Sequence, residues 1–183
     1  MKFCSDCGAA VAFRIPPGDD RERFVCTACE TIHYINPRLI VGCLPTWGEQ
    51  VLLCRRAIEP RRDYWTLPAG FMENGETTEE GAARETWEEA RARVRDLALY
   101  RVYDVPYINQ VYLFYRCSLV DGTHAAGPES TDTRLFHCEE VPWDELAFPS
   151  IYRALRAFFA DRDAGRDYPL AVETIYRRRD AGG

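Results

Sequence analysis

Residues 70–90 read GFMENGETTEEGAARETWEEA and carry seven acidic side chains but only one basic one, that of Arg84. The spacing of the apolar residues predicts a helix over residues 77–92, entered from a glycine-bearing loop. Successive helical residues are rotated by 100°, so three of the acids fall within an arc of about 100° on one side of the helix. These three acids are Glu85, Glu88 and Glu89.

The opposite side of this helix is the side expected to pack against the core. Its residues are Ala83, Thr86, Trp87, Ala90 and Val94. A solvated amphipathic face is the common explanation for a glutamate-rich helix, and it remains open at this stage. Two observations weigh against it. Like charges three or four residues apart destabilise a helix by a few tenths of a kcal/mol per pair, and small residues at Gly81 and Ala92 leave room for a ligand to approach the acids.

Three clustered carboxylates next to a loop carbonyl form a hard oxygen site, which suits Mg²⁺ or Mn²⁺. The spacing of the charged residues is also specific, since it runs Gly70, Glu76, Arg84-Glu85 and Glu88-Glu89. This arrangement resembles the box of the Nudix family, G-x5-E-x7-R-E-U-x-E-E-x-G-U. Thr86 and Ala92 are weak occupants of its apolar positions, and Arg91 replaces its last glycine, but every acid of the box is present.

The resemblance implies an α/β fold, the Nudix α/β/α sandwich with a mixed sheet, and hydrolysis of a nucleoside diphosphate linked to another moiety. A diphosphate repels both hydroxide and an acidic helix, so divalent cations must lie between them and lower the pKa of the attacking water. By this resemblance the cation ligands are Glu85, Glu88, Glu89 and the carbonyl of Ala69. Arg84 and Glu76 would orient these ligands. One of the box acids, or an acid of a later loop, would deprotonate the water; the later candidates are Glu129, Glu139 and Glu140.

The resemblance covers residues 3–160 and includes the strings INPRLIVGCLP, VLLCRRAIEP and GPES. They are similar to a zinc-ribbon branch of the family that includes the plant chloroplast FAD and ADP-ribose pyrophosphatase. The NADH pyrophosphatases and RNA NAD-decapping enzymes, which also carry a ribbon, have an SQPWPFPxS motif after the box, where this chain has VYDVPYINQVY at residues 102–112. The sequence therefore favours FAD or ADP-ribose as substrate. An NADH or NAD-cap hydrolase and a ligand-sensing module are the alternatives.

The eight cysteines divide into two groups. Four of them form two CxxC pairs, which predict a zinc ribbon over residues 1–38 because tetrahedral Zn²⁺ accepts four thiolates. A redox-active dithiol pair and another metal are the alternatives. Gly8 suits the tight turn after the first pair, whereas Glu30 departs from the glycine expected after the second. The other four cysteines lie in apolar segments and are expected to be buried free thiols. The predicted zinc ligands are Cys4, Cys7, Cys26 and Cys29.

After the ribbon, the pattern is that of a larger domain, expected to span residues 39–165. LIVGCLP and EQVLLCRR predict two strands joined in a hairpin at TWGEQ, and further strands are predicted over 111–120 and 133–138. A second helix would begin at Pro149-Ser150, with Ser150 as its cap, and would stop at Gly165. Residues 166–183 are interpreted as a C-terminal tail that frays at its end.

A nucleotide ring needs a flat apolar or aromatic wall, and its phosphates need cations. Aromatic residues make up 13% of the chain, and most are expected in the core. Trp65 and Trp87 are assigned to that core. The candidates for the ring are Phe71, Tyr103, Tyr107 and Tyr112. The candidates for the phosphates are Arg55, Arg56, Arg61 and Arg62, with a solvated surface position as the alternative for at least two of them.

Composition and charge narrow the functional classes. The chain has 183 residues, of which 46% are apolar, and a formal net charge of −6. Residues 1–38 carry five basic and five acidic side chains, which is a poor footprint for nucleic acid. The longest apolar runs are far shorter than the roughly 20 residues of a membrane-spanning helix. We therefore expect a soluble cytoplasmic protein that binds neither membranes nor nucleic acid. The resemblance to the Nudix family implies a dinucleotide substrate and, since many of its enzymes are dimers, a homodimer.

Overall fold

The computed structural model describes residues 1–177, so the predicted fraying from Arg178 onward lies outside the described residues. The chain divides into two compact units, Met1–Pro37 and Arg38–Gly183. Among the helices of residues 1–177, none combines the length and apolar character needed to span a membrane.

The first unit is a small antiparallel sheet with strands β1 (Val11–Arg14), β2 (Arg23–Cys26) and β3 (Ile32–His33), in that order. Its two CxxC turns precede β1 and follow β2. Gly8 has a φ of 75° and Glu30 a φ of 59°. The glutamate thus adopts the left-handed conformation for which glycine was expected. Val25, Cys4 and Cys26 are buried, so the apolar core of this unit is very small.

The second unit is built on one large sheet with a helix on each face. Its strands are β4 (Arg38–Trp47), β5 (Gln50–Arg56), β6 (Trp65–Thr66), β7 (Ala69–Phe71), β8 (Val94–Val105), β9 (Gln110–Leu119), β10 (Ser130–Phe136) and β11 (Ala171–Thr174). Its helices are α1 (Thr78–Ala90) and α2 (Pro149–Asp163). The strands at residues 110–119 and 130–136, the helices and the hairpin between β4 and β5 agree with the predicted elements to within a few residues.

The sheet has the order β10-β5-β4-β9-β8-β11. β9 runs parallel to β4 and β11 parallel to β8, whereas the other pairs are antiparallel, so the sheet is mixed as expected. One edge of β4 is shared between two partners: its residues 40–42 pair with β7, and its residues 46–47 pair with β5. The sheet therefore divides along this edge, and α1 begins a few residues after β7.

Helix α1 is oriented differently from the prediction. Its buried residues are Gly81, Ala82, Glu85, Thr86, Glu89 and Ala90. Ala83 is only half-buried, and Trp87 is 43% exposed, with Arg91 and Arg93 over its ring at 5.7 and 5.6 Å from the centroid. The predicted core stripe was thus wrong at these two residues, because the small residues on the acidic side allow that side to approach the sheet.

Helix α2 covers the other face of the sheet. Its Ile151, Leu155 and Phe158 pack in one core cluster with Leu44 of β4 and Phe114 of β9. Phe148 is the residue that precedes the helix, and no side chain caps it, so the predicted cap at Ser150 was wrong: Ser150 is buried in the first turn. Gly165 follows the helix with a φ of 61°, which confirms the predicted stop. Within the segment interpreted as a tail, β11 extends the sheet.

Candidate active site

Helix α1 is capped at both ends, by side chains at its start and by a backbone hydrogen bond at its end. At its start, Thr77 accepts a hydrogen bond from the Glu80 backbone N–H at 3.2 Å, while Glu80 accepts one from the Thr77 N–H at 2.8 Å. At its end, Arg91 adopts a left-handed φ of 49° and donates its N–H to the Trp87 carbonyl at 2.9 Å. Arg91 occupies the position where the box usually has glycine, and this conformation explains that preference.

The approach of α1 to the sheet depends on glycines. A methyl group at Gly81 would lie 2.9 Å from the Val41 side chain of β4 and 2.6 Å from Glu76. A methyl group at Gly70 would overlap the Glu85 carboxylate. The carboxylate of Glu85 therefore lies directly against the backbone of β7. These contacts bring the acidic side of the helix and the loop before it into one site.

Arg84 connects the acids of this site to the loop. Its guanidinium donates two hydrogen bonds to Glu76, at 2.9 and 2.8 Å, one to Glu85 at 2.8 Å and one to Glu88 at 2.9 Å. It also donates to the Phe71 carbonyl at 3.1 Å. The hydrogen bonds from Arg84 lower the pKa of Glu76 to about 2. Arg84 thus joins three of the acids by hydrogen bonds, and its orienting role together with Glu76 stays a prediction.

Glu85 and Glu89 are buried, with exposed fractions of 9% and 7%. Burial raises the pKa of Glu85, and it raises that of Glu89 to about 8 although the Ala69 N–H donates to Glu89 at 3.1 Å. The Glu88 side chain is 52% exposed. Two buried carboxylates with an unfavourable charge are well suited to a divalent cation, which would relieve that charge. The donor set therefore fits Mg²⁺ or Mn²⁺. Ala69 lies beside Glu89 through its N–H, and its carbonyl stays a predicted ligand.

A later loop carries a fourth acid to the same place. The N–H groups of Ala125 and Gly127 donate to the carbonyls of Ala90 and Glu89, at 2.8 and 2.9 Å, so this loop binds the end of α1. A methyl group at Gly127 would overlap the Glu88 carbonyl. The negative charge of Glu129, which follows in the loop, contributes to the raised pKa values of Glu85 and Glu89. Glu129 therefore lies near both buried acids.

The other later acids lie in a separate turn. Residues Cys138–Glu140 form a short 3-10 helix, in which Glu140 accepts a hydrogen bond from the His137 N–H at 3.0 Å. The Glu140 carboxylate therefore caps its own turn. Among the later acids predicted as candidates, Glu129 is the one whose charge contributes to the raised pKa values of Glu85 and Glu89.

The predicted aromatic residues differ in their exposure. Phe71 is 47% exposed, and the Arg38 guanidinium lies 5.3 Å from its ring centroid. Tyr107 is 47% exposed, and Tyr112 is half-buried with its hydroxyl donating to Gln110 at 2.8 Å. Tyr103 is fully buried against Phe114 in the core. The prediction of Tyr103 as a ring contact is corrected accordingly, because its ring has no open face.

The four predicted arginines differ in their partners and exposure. Arg55 donates to the Asp63 carbonyl at 3.0 Å, whereas Arg56 donates to the Pro60 carbonyl at 2.9 Å and lies 5.2 Å from the Phe148 ring centroid. The charge of Arg56 partly offsets the raised pKa of Glu89, so Arg56 is near the acids. Arg61 lies over Tyr64, and Arg62 is exposed. Arg55 and Arg56 were equal candidates from the sequence, and Arg38 and Gly127 were not predicted at the site. Alternation along β5 could have separated Arg55 from Arg56.

The four ribbon cysteines form a second metal centre. Their sulfur atoms all lie within 4.8 Å of one another. Cys26 accepts from the N–H groups of Ala28 and Cys29 at 3.4 Å, and Cys4 accepts from the Asp6 N–H at 3.4 Å. Such N–H groups stabilise thiolates. Hydrogen bonds from Thr31 lower the pKa of Cys29 to about 6. Four sulfurs at this separation fit one tetrahedral Zn²⁺, with no position left for substrate.

Comparisons with known proteins cover both units. Residues 2–35 match the zinc-ribbon family described as Nudix N-terminal, and residues 36–159 match the NUDIX domain. A NUDIX hydrolase of Nitrosomonas europaea, known from a crystal structure, is 50% identical with a TM-score of 0.93, over 97% of this chain and 100% of that one. A second solved structure is the bifunctional NMN adenylyltransferase/ADP ribose pyrophosphatase of Francisella tularensis, which is 17% identical. Its TM-score is 0.62 over 70% of this chain and 42% of that one, so the two proteins share the fold.

Curated relatives include the NAD-capped RNA hydrolase NudC of Stutzerimonas stutzeri, which is 31% identical over 175 residues. The match covers 92% of this chain and 59% of that protein. The NudC protein of Pseudomonas fluorescens is likewise 31% identical, over 92% of this chain and 59% of its own length. The chain therefore spans less than two thirds of the length of these relatives.

Proposed function

The chain belongs to the Nudix hydrolase family and carries a structural zinc ribbon, and on that premise we propose that it hydrolyses the diphosphate bond of a dinucleotide. The first substrate class is an NAD(H)-type dinucleotide, either free or at the end of an RNA. This choice follows the curated relatives, which are NAD-capped RNA hydrolases. It replaces the preference for FAD or ADP-ribose that the sequence alone suggested, and it keeps RNA open as a partner despite the balanced charge of the ribbon.

The observation that carries the proposal is that several acidic side chains lie together where β4 changes its partner from β7 to β5. Glu85 and Glu89 lie buried beside the backbone of β7, and the charge of Glu129 acts on both. In the proposed reaction Glu85 and Glu89, with Glu88 and the Ala69 carbonyl, would hold divalent cations. Bound cations supply neutralisation of the diphosphate and a lowered pKa for the attacking water.

The chain's own residues have distinct roles in this proposal. Water attacks one phosphorus atom, the bond from that phosphorus to the bridging oxygen breaks, and two monophosphates result. Glu129 accepts the proton that the water loses. Its charge acts on both Glu85 and Glu89, and among the described contacts Arg84 donates to Glu85 and Glu88 but not to Glu129. Arg84 keeps Glu85 and Glu88 oriented. Arg56 contacts the diphosphate from the side of Glu89, and Phe71 with Arg38 provides a face for one ring.

FAD or ADP-ribose hydrolysis is the second candidate. It is favoured by the segment VYDVPYINQVY, which differs from the SQPWPFPxS motif of the NADH-type branch. In the fold this segment is the end of β8, the turn at Pro106–Ile108 and the start of β9, and it exposes Tyr107.

An assay with resolved products separates the candidates. NADH, FAD, ADP-ribose and a short NAD-capped RNA are incubated with protein and Mg²⁺ or Mn²⁺. We expect the highest kcat/KM for NADH or the capped RNA. The products would be AMP and reduced nicotinamide mononucleotide from NADH, and 5′-phosphorylated RNA and nicotinamide mononucleotide from the capped RNA. A kcat/KM at least tenfold higher for FAD or ADP-ribose would favour the second candidate. Binding without turnover of any substrate would instead support a ligand sensor.

A further inference from the structure

An open cavity of about 600 Å³ lies beyond the site described above, and Pro106, Tyr107, Tyr176 and Arg177 line it. This volume is within the range of small-molecule sites. Tyr107 is 47% exposed and Tyr176 is 77% exposed, so both rings are open to a ligand. Two tyrosines and a guanidinium offer flat, electron-rich faces and a positive charge, which together suit a planar heteroaromatic ring attached to phosphate.

The C-terminal segment that supplies half of this cavity is anchored to the sheet. The Pro169 carbonyl accepts a hydrogen bond from the buried guanidinium of Arg101. Ala171–Thr174 then pairs with β8, and Ile175 is buried and donates its N–H to the Asp104 carbonyl at 2.8 Å. The backbone is therefore held as far as the residue before Tyr176. The match to the NUDIX domain covers residues 36–159, so this segment lies outside the matched domain.

The cavity lies at the same end of the sheet as Phe71. β4 and β9 begin at this end, and β8 and β11, which run parallel to each other and antiparallel to β9, finish at it. Phe71 pairs with Ile40 near the start of β4. Strands in a sheet are about 4.8 Å apart, so the three spacings from β7 to β8 amount to roughly 14 Å. The cavity is thus within the reach of an elongated substrate held at the acids.

We propose that this cavity, the strap pocket, binds one planar ring of the dinucleotide between Tyr107 and Tyr176, with Arg177 beside it. The inference rests on the proposed function and extends it, because it assigns a specificity site to a segment outside the matched domain. Stacking on one aromatic side chain changes affinity by about tenfold or more. Loss of either tyrosine should therefore weaken substrate binding and leave the chemical step unchanged.

The test compares Tyr107→Ala and Tyr176→Ala with the wild-type full-length protein on its best dinucleotide. We expect KM to rise about tenfold in each variant, with kcat and Tm close to the wild-type values because both side chains are exposed. Tyr107→Phe and Tyr176→Phe should restore KM, since the ring and not the hydroxyl is needed. Val172→Ala is the matched control: Val172 is 64% exposed on the same segment but does not line the pocket, and its loss should leave KM unchanged.

An unchanged KM in both alanine variants, with wild-type hydrolysis intact, would overturn the strap pocket and leave the proposed function standing. If the wild type cleaves no dinucleotide, the proposed function fails, and the pocket is tested separately by calorimetric titration with AMP and with nicotinamide mononucleotide. Weaker binding of either nucleotide by about tenfold in Tyr176→Ala would then support the pocket. Equal affinities for both nucleotides in variant and wild type would overturn it.

Discussion

Replacing Gly127 with alanine should separate Glu129 from the other acids without unfolding the protein. The added methyl carbon would lie 2.8 Å from the Glu88 carbonyl carbon, 3.2 Å from that of Glu89, and closer still to the Glu88 carbonyl oxygen. Ordinary contacts of such a carbon begin at 3.4 Å, and the obstacles are backbone atoms of α1 rather than flexible side-chain ends. The loop must therefore move away from the helix, and Glu129 moves with it.

A displacement of about 1 Å sets the size of the effect, because misplacing a catalytic group by that distance costs about 100-fold in rate. This loss corresponds to about 2.7 kcal/mol of activation free energy, at 1.36 kcal/mol per tenfold. The displacement also weakens the hydrogen bonds that the N–H groups of Ala125 and Gly127 donate to α1. We expect the free energy of unfolding to fall by about 1–3 kcal/mol, which a domain of ordinary stability tolerates.

The assay measures kcat and KM at saturating Mg²⁺ for Gly127→Ala, Glu129→Gln and the double variant. If Gly127 acts through Glu129, the double variant is no slower than Glu129→Gln alone. Gly122→Ala is the matched control. Its methyl group would lie 2.7 Å from the Trp47 ring at a φ of 71°, so it destabilises the protein without contacting α1.

Full kcat in Gly127→Ala, or losses that multiply in the double variant, would refute this reasoning. An equal loss of kcat in Gly122→Ala would show that reduced stability is responsible, and not the position of Glu129.

Three further changes test the cation ligands, the ribbon and the core. Glu89→Gln should lower kcat about 100-fold or more and keep the fold, because a neutral amide is a poor cation ligand; Glu79→Gln, exposed on the same helix, is the control. Near-wild-type turnover of Glu89→Gln would contradict its role. Cys26→Ser should bring bound zinc below half an equivalent and increase hydrogen exchange in residues 1–37, with kcat nearly unchanged; a full equivalent of zinc in this variant would count against the site. Asp161→Asn should lower the free energy of unfolding by about 3 kcal/mol at neutral pH, because Arg101 loses its buried partner. Burial alone would raise the pKa of Asp161, but hydrogen bonds from Tyr100, Arg166 and Arg101 outweigh it and lower that pKa. The folded pKa is thus below the unfolded value of about 3.9, so the stabilisation is complete above roughly pH 4 and is lost as the pH falls through the folded pKa. A difference between variant and wild type that stays constant into strong acid would contradict this account.

Local signals in the sequence were sufficient for both helices and for strands β4, β5, β9 and β10. Thr77 and Glu80 form the capping box that starts α1, and Gly165 ends α2, because capping depends on residues within one turn of each other. The CxxC spacing likewise brings its four sulfurs together, because each pair is closed by its own short loop.

The orientation of α1 could not be deduced by assigning its acids to the exposed side. Glu85 and Glu89 are buried, while Trp87 is exposed and covered by two arginines. Gly81 indicates the reason, since a residue without a side chain at that position allows the acidic side to contact β4. Hydrophobicity alone identifies the apolar residues of a helix but does not show which side has room for a neighbouring strand.

The residues around the substrate were the least predictable part, because strands distant in sequence bring them together. Tyr103 and Tyr112 are cross-strand neighbours, yet Tyr103 is completely enclosed and Tyr112 is not. The strand at Ala171–Thr174 was missed for a related reason. It is four residues long, and its partner, residues 101–104 of β8, lies about 70 residues earlier, so no local pattern reveals the pairing.

The burial of Glu85 and Glu89 makes the cations relevant to the durability of the protein. Carboxylates removed from water, with Glu129 near them, weaken the folded state. Cations that bind only the folded chain would stabilise it, by about 2.7 kcal/mol when their free concentration is 100 times the dissociation constant. Supply of Mg²⁺ or Mn²⁺ would then govern how long the protein survives as well as how fast it works. In a cell depleted of these ions, the same molecules would be both idle and more readily degraded.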